Sequence, residues 1–213
     1  MTKEMTSGKP YKLILSFAIP LILGNVFQQL YNMVDTVIVG KFVGVNALAG
    51  VGSTGAINFL VIGFALGICS GFSIMIAQRF GAGDYSGMRK FIANSIYLCI
   101  AVAVILTAVT MLLTKPILTV MNTPKEIYDY AYNYIIIIFA GISATMFYNI
   151  LSGILRAVGD SRTPLIFLGV SSVLNVGLDL LCIIVFKMGV AGAGIATVIS
   201  QAISAFLCLI SVS

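Results

Sequence analysis

The amino-acid sequence predicts an all-α membrane protein, an integral bundle of six transmembrane helices. Three features of the 213 residues predict this fold class: 60% are hydrophobic, only 9% are charged, and the mean hydropathy is +1.09. A soluble domain is typically about half apolar and about a quarter charged. A soluble chain of this length also has too much surface for its volume to hide so many apolar side chains. Lipid must therefore be the solvent for most of the chain.

Six apolar runs are long enough to cross a bilayer, whose hydrocarbon core of about 30 Å needs about 20 helical residues. In chain order they cover residues 13–39, 57–76, 92–113, 128–151, 164–186 and 190–212. Glycine, proline and charged residues, which favour turns, separate these runs. We expect a short N-terminal segment, residues 1–12, followed by one six-helix transmembrane lobe, residues 13–213.

The distribution of Lys and Arg predicts the orientation of the six spans. Alternate loops carry eight basic residues on one side and four on the other. Because basic residues accumulate on the cytoplasmic side, both ends of the lobe are expected in the cytoplasm. The protein is predicted to be a multi-pass protein of the cell membrane with a cytoplasmic N-terminus.

Composition also excludes several classes of protein. The 12 basic residues are scattered between apolar runs, so no basic stripe indicates nucleic-acid binding. The four cysteines match no metal motif, and the absence of histidine removes the commonest metal ligand and neutral-pH acid–base residue. We expect no cofactor, and we consider an intramembrane enzyme the weakest alternative because neither candidate aspartate lies in a glycine-flanked motif.

Two acidic residues, Asp35 and Asp179, interrupt apolar runs, whereas the other five lie in loops or at span ends. A charged side chain at membrane depth costs at least ~2.5 kcal/mol on insertion scales, so it usually faces an internal cavity. An interfacial position is the alternative for Asp35, which lies near the end of its run. Asp179 has apolar residues on both sides, which favours a functional role.

Three spans carry polar residues at helical spacing, which places each set on one helix face. On the first span these are Asn25, Gln28, Asn32 and Asp35. On the fifth they are Ser172, Asn175 and Asp179, and on the sixth Thr197, Gln201 and Ser204. Hydrogen bonding between neighbouring helices is the alternative for such residues, and we favour it for the sixth-span set taken alone. Together, converging stripes would form a polar cavity inside the bundle.

Oxygen ligands from carboxylate, amide and hydroxyl groups suit Na⁺ or a proton and do not suit zinc or copper. Burial raises the pKa of a carboxyl group and a nearby cation lowers it, so such a group can exchange one cation for another. No metal other than Na⁺ is expected. Pro20 in the first span removes a backbone hydrogen bond, which predicts either a hinge or a fixed kink.

Several segments resemble the multidrug and toxic compound extrusion (MATE) transporters, most closely the bacterial and archaeal drug-export branch. They are residues 17–20 (FAIP), 28–36 (QQLYNMVDT), 79–84 (RFGAGD), 153–160 (GILRAVGD) and 173–179 (VLNVGLD). The resemblance covers residues 14–204. It implies a twelve-helix transporter built from two six-helix lobes, with this chain matching the amino-terminal lobe.

The resemblance further implies export of cationic, amphipathic drugs or metabolites in exchange for Na⁺ or H⁺. The family's coupling site falls on Asp35, Asn175, Asp179 and Thr197, which the polar stripes also contain. Gln28 falls on a polar position near that site, and Pro20 on a proline linked to bending of the first helix. Asn25, Asn32 and Gln201 are expected to line the cavity.

Alternating access needs two bodies that rock about a central site, and this chain supplies one. We therefore expect a second six-helix lobe, or another copy of the chain, as its partner, together with membrane lipid and a small cationic drug. Two other functions stay open: a truncated lobe without transport activity, and a lipid-linked oligosaccharide flippase of a related branch. A flippase should place basic residues in its cavity, and the assigned spans contain no Lys or Arg.

Overall fold

The computed structural model describes residues 10–212, and the regular secondary structure in this range is entirely helical. In chain order the elements are α1 (Pro10–Phe42), α2 (Val45–Ser53), α3 (Gly55–Gly81), α4 (Tyr85–Val120), α5 (Lys125–Ala140), α6 (Ile142–Ala157), α7 (Arg162–Leu180), a π-helix (Leu181–Val185) and α8 (Gly189–Val212). The predicted all-α class is confirmed.

Five helical segments are long and apolar enough to cross a membrane, and α5 and α6 together provide a sixth span that bends by 45° between them. These spans follow the six predicted runs in order. The apolar part of α1 begins at Leu13, as expected, although the helix itself starts at Pro10. Residues 1–9 of the predicted N-terminal segment lie outside the described residues, so the domain division stays a prediction.

Helix α6 lies at the centre of the lobe. Its side chains Met146, Ile150 and Leu151 are fully buried, and α3, α4 and α8 pack around it. The outer faces of the bundle instead expose large apolar side chains such as Phe59 and Leu112. This distribution places the tightest packing inside the lobe and leaves an apolar exterior suited to lipid.

The break between α5 and α6 occurs at Gly141, where α8 passes very close. A Cβ atom at this position would collide with the side chain of Val198. Small residues let membrane helices approach in this way. Val198 is the residue after Thr197 on α8. The contact at Gly141 therefore helps to fix the position of Thr197 relative to α5 and α6.

The short helix α2 was not among the predicted elements. It packs against α5, and a Cβ atom at Gly50 would lie 2.7 Å from the Cβ of Tyr130 and 3.0 Å from the backbone nitrogen of Ala131. Gly52, in the same helix, has no neighbouring atom within 4 Å of such a Cβ. The absence of a side chain at Gly50 is what allows the two helices to touch.

Asp160 organises the loop between α6 and α7. Its carboxylate accepts hydrogen bonds from the backbone N–H groups of Arg162 (3.1 Å) and Thr163 (3.0 Å) and from the Thr163 hydroxyl (2.6 Å). Burial of the carboxyl opposes its ionisation, but these hydrogen bonds outweigh that effect and hold the pKa of Asp160 below its usual value. The ionised side chain thus stabilises the N-terminus of α7.

Replacing Gly50 with Leu should destabilise the lobe, because the new side chain must push α2 away from α5. Overpacking of this kind costs about 1–3 kcal/mol. We expect a lower melting temperature for Gly50→Leu in a thiol-dye unfolding assay, which the four buried cysteines make possible. Gly52→Leu is the matched control and should melt like the parent chain. Equal melting of the two variants would contradict the packing described for α2.

Replacing Asp160 with Ala should remove about 1 kcal/mol of stability at pH 7, the usual cost of a lost helix cap. Because folding lowers this pKa, the stabilisation is present above the unfolded-state pKa of about 4 and is lost as the pH falls below it. The difference in melting temperature between the variant and the parent should therefore shrink below about pH 4. Asp129→Ala, at an exposed position, is the control. A difference that grows in acid would disprove this interpretation.

Candidate cation-binding site

Two buried carboxyl groups meet in the interior of the lobe. Asp35 lies on α1 with 6% of its surface exposed, and Asp179 lies near the end of α7 with 0% exposed. The two carboxyl groups are direct neighbours, within hydrogen-bonding reach of each other. Residues separated by more than a hundred positions in the sequence are therefore brought together by the packing of α1 on α7.

The pair lacks the partners that buried charges normally have. One carboxylate oxygen of Asp35 and both of Asp179 are buried without a hydrogen-bond donor, and neither group forms an ion pair with a described basic side chain. Ionised carboxylates only accept hydrogen bonds, so two of them cannot bond to each other. A proton or a small cation placed between them would satisfy both.

Further buried polar groups without a hydrogen-bond partner lie on α7 and α8. Asn175 lies one turn before Asp179 on the same face of α7, fully buried, and both polar atoms of its side chain lack a partner. The Thr197 hydroxyl and the Gln201 carbonyl oxygen, one turn apart on α8, are also buried and unpartnered. These amide, hydroxyl and carboxylate oxygens form a donor set that suits a hard cation.

Two tyrosines complete the surroundings. Tyr31 lies one turn before Asp35 on α1 with its phenol near Thr197, and Tyr134 comes from α5 and lies near both carboxyl groups. Each is only 8% exposed. Neither tyrosine was among the site residues predicted from the sequence. Tyr31 shares a helix face with Asp35 and could have been found from that spacing, whereas nothing in the sequence links α5 to this site.

The backbone of α7 widens directly after the site. Residues Leu181–Val185 form a π-helix, in which the Phe186 N–H bonds to the Leu181 carbonyl at 3.0 Å. Such wide turns are rare and often occur at functional sites. Here the distorted segment lies against α8, where a Cβ atom at Gly192 would lie 3.0 Å from the Cβ of Cys182.

The structure divides the predicted polar stripe of the first span. Asn25, Gln28 and Asn32 are exposed on the single lobe, whereas Asp35 is buried. Asn25 and Gln28 line a separate cavity of about 210 Å³, together with Pro20. Asn32 instead donates a hydrogen bond to Gln29 at 3.3 Å. The helix α1 runs unbroken through Pro20, and its role as a hinge stays a prediction.

The predicted sixth-span stripe also has two parts. Thr197 lies near Tyr31 of the site, and Gln201 follows one turn later on α8. The Ser204 hydroxyl instead donates to the Phe167 carbonyl of α7 at 3.4 Å. The Ser171 hydroxyl similarly donates to the Ser200 carbonyl at 2.7 Å. The hydroxyls of these two serines therefore form hydrogen bonds between α7 and α8, which is the alternative to lining a cavity.

The helix boundaries require one correction. The predicted fourth span ended at residue 151, and on that assignment the spans contained no basic residue. The structure continues α6 to Ala157, so Arg156 lies in the last turn of the bent span. Its side chain is half-buried and lines the cavity that also contains Asn25 and Gln28.

The described chain is thus a helical membrane bundle with paired carboxyl groups in its interior. The MatE family model matches residues 20–181, and the chain belongs to the MATE family of transporters. Family membership agrees with the resemblance found in the sequence. The members of this family are transporters.

Two curated relatives illustrate the similarity. The chain is 34% identical over 201 residues to a probable multidrug resistance protein, YpnP, of Bacillus subtilis, covering 94% of this chain and 45% of that protein. It is 33% identical over 198 residues to the probable multidrug resistance protein NorM of Thermotoga maritima, covering 91% of this chain and 42% of NorM. The chain thus spans a little under half the length of these relatives.

Solved structures show the same relation. A MATE transporter in a bent conformation superimposes with a TM-score of 0.87 at 31% identity, over 94% of this chain and 45% of that one. An outward-facing multidrug resistance MATE transporter of the MOP superfamily gives 0.90 at 29% identity, over 99% and 48%. The match to about half of each structure is that expected for one lobe of a two-lobe transporter.

Replacing Asp35 with Asn should stabilise the lobe at pH 7.5 in a Na⁺-free buffer. The new amide can donate to the Asp179 carboxylate, which now lacks a donor, and a satisfied buried group is worth about 1 kcal/mol or more. For a chain of this size that raises the melting temperature by about 2–4 °C. Asp129→Asn, which changes an exposed aspartate, should have no effect. A lower melting temperature for Asp35→Asn would mean that the carboxyl pair stabilises the fold.

Proposed function

We propose that this chain is the amino-terminal lobe of a cation-coupled antiporter of the cell membrane, with its N-terminus in the cytoplasm. The coupling ion is Na⁺ or H⁺, and the cargo is a cationic, amphipathic drug or metabolite. One observation carries the proposal: the carboxyl groups of Asp35 and Asp179 adjoin each other inside the lobe without basic partners among the described side chains. Such a pair needs a cation or a proton, and it can release one when another binds.

The surrounding groups support a site for a small cation. The polar atoms of Asn175 and the Thr197 hydroxyl are unpartnered and lie on the two helices that flank the pair, α7 and α8. Their oxygens can replace water around Na⁺, while a proton needs only the two carboxyl groups. The same donor set therefore serves either ion.

Export requires the site to open alternately to the two sides of the membrane. In transporters built from two repeats, one body rocks against the other around a central site. This lobe supplies one body, and a second six-helix lobe or another copy of the chain supplies the other. The length of the chain relative to its relatives supports this arrangement.

The nature of the cargo follows from charge and from the relatives. Acidic groups in the lobe attract cations, and the Bacillus subtilis and Thermotoga maritima relatives are named probable multidrug resistance proteins. A lipid-linked oligosaccharide flippase is not favoured. The cation site itself, built from Asp35, Asp179 and neutral polar groups, has no basic residue to hold an anionic head group.

A second candidate function is a lobe that binds a cation but does not transport alone. Membership of a transporter family does not favour this candidate over transport. Proteoliposomes containing only the 213-residue chain distinguish the two. Drug uptake driven by an imposed ion gradient indicates a self-assembling transporter, and cation binding without uptake indicates an inert lobe.

The direct test replaces each aspartate in a two-lobe transporter that contains this chain as its amino-terminal half. Asp35→Asn and Asp179→Asn should each reduce cation-driven efflux of a fluorescent cationic dye by at least about tenfold, because the coupling ion loses a charged ligand. Efflux is measured in cells and the amount of protein in the membrane by immunoblot. Asp129→Asn, at the exposed position on α5, is the matched control and should transport normally.

Two features of this experiment decide the assignment. Unchanged efflux in both aspartate variants would refute the site, and equal loss in Asp129→Asn would indicate a general defect. Imposing a Na⁺ gradient at constant pH, and then a pH gradient without Na⁺, identifies the coupling ion as the one whose gradient drives efflux in the parent protein.

A further inference from the structure

A second cavity lies away from the carboxyl pair, at the end of the bundle that the charge count predicts to face the cytoplasm. It encloses about 210 Å³ between α1, α3, α6 and α7. Its walls carry an unusual number of polar groups for a membrane interior: Asn25, Gln28, Ser70, Tyr148, Asn149, Arg156 and Ser161. Three helices, α1, α3 and α6, and the loop before α7 thus contribute polar residues to one space.

Arg156 is the charged residue of this cavity. Its side chain is half-buried, and the ionisable groups near it are the Tyr148 phenol and the Cys208 thiol, both of which are ordinarily uncharged near neutral pH. Among the described side chains, no carboxylate forms an ion pair with it. A cation in such surroundings is costly unless an anion accompanies it. Within residues 10–212, Arg156 thus presents a positive charge that no carboxylate pairs with.

An apolar groove continues directly from this polar cavity. It has a volume of about 350 Å³, lies between α1, α3 and α6, and shares four lining residues with the cavity: Leu21, Ser70, Asn149 and Arg156. The rest of its wall is mainly apolar, with Phe17 and Ile74 among its residues. One side of Arg156 thus faces a polar space and the other an apolar one.

We propose that this combined space binds an anionic phospholipid, with its phosphate beside Arg156 and an acyl chain in the adjoining groove. Arg donates in a fork that matches phosphate oxygens, and Asn149 and Ser70 can add neutral contacts. Basic pockets between helices on the cytoplasmic side of a membrane protein suit such head groups. The lipid would lie against the part of α1 that contains Pro20. This proposal does not depend on drug export.

The test uses the fact that the chain contains no tryptophan. Phe17→Trp places a single fluorescent reporter in the groove, and the 213-residue chain is reconstituted in phosphatidylcholine vesicles. A tenth of the lipid is replaced by brominated phosphatidylglycerol or, in parallel, by brominated phosphatidylcholine. We expect about fivefold stronger quenching per brominated lipid for phosphatidylglycerol, the preference that one basic contact gives.

Substitutions at the cavity then assign the preference to Arg156. In the Phe17→Trp background, Arg156→Gln should quench equally with both lipids, whereas Arg156→Lys should keep most of the preference and shows that the site still folds. Arg89→Gln removes an exposed charge at the same end of the bundle and should change nothing. A reporter at Phe206, in an apolar groove between α4, α6 and α8, should show no preference.

The outcomes separate the possible ligands. Equal quenching by the two lipids in the parent chain, or a preference unchanged by Arg156→Gln, overturns the proposal. Loss of the preference for phosphatidylglycerol in millimolar inorganic phosphate would keep a phosphate site at Arg156 but overturn the lipid as its preferred occupant. Because the readout is binding alone, failure here leaves the efflux experiment on the aspartates unaffected.

Discussion

The contact between the carboxyl groups of Asp35 and Asp179 is the constraint that the rest of the lobe accommodates. Two acceptors face each other in a space with no described basic side chain bonded to them. Without a bound cation or proton, this arrangement lowers the stability of the folded lobe. The lobe tolerates it because other parts of the structure are packed well. The buried centre of α6 and the close approach of α8 at Gly141, next to Thr197, supply that rigidity. In the function we propose, a cation or a proton supplies the partner that the two carboxyl groups lack.

Much of the architecture could be predicted from the sequence because the bilayer imposes a simple rule. Each span must be about 20 apolar residues long and satisfy its own backbone hydrogen bonds, so apolar runs identify helices directly. The two intramembrane aspartates were recognisable for the same reason, since a charge is conspicuous in an apolar run. The short helix α2 was not predicted, because it is too short to span a bilayer and contains no charged residue. Its contact with α5 at Gly50 leaves no recognisable pattern in the sequence.

Helical spacing was a poorer guide to which polar residues share a site. Steps of three and four residues drift around the helix, so Asn25 and Asp35 lie about 80° apart in direction and about 15 Å apart along the axis. The structure accordingly places Asp35 in the carboxyl pair and Asn25 in the cavity with Arg156. Tyr134 reaches the pair from a different helix, which one-dimensional spacing does not reveal. Residues on one face are therefore neighbours only over about one or two turns.

Helix α1 connects the two polar regions of the lobe. It contributes Asp35 at one level and, about two to four turns earlier, Gln28, Asn25 and Pro20 at the wall of the second cavity. A helix interrupted by proline lacks one backbone hydrogen bond and bends more readily there. Bending at Pro20 would change the shape of the second cavity and the position of Asp35 relative to Asp179 together. A ligand bound in one region then changes the affinity of the other region only if that ligand prefers one shape of α1. If both proposed sites bind their ligands, α1 is the element that would couple them, and no separate chain of contacts between them is needed.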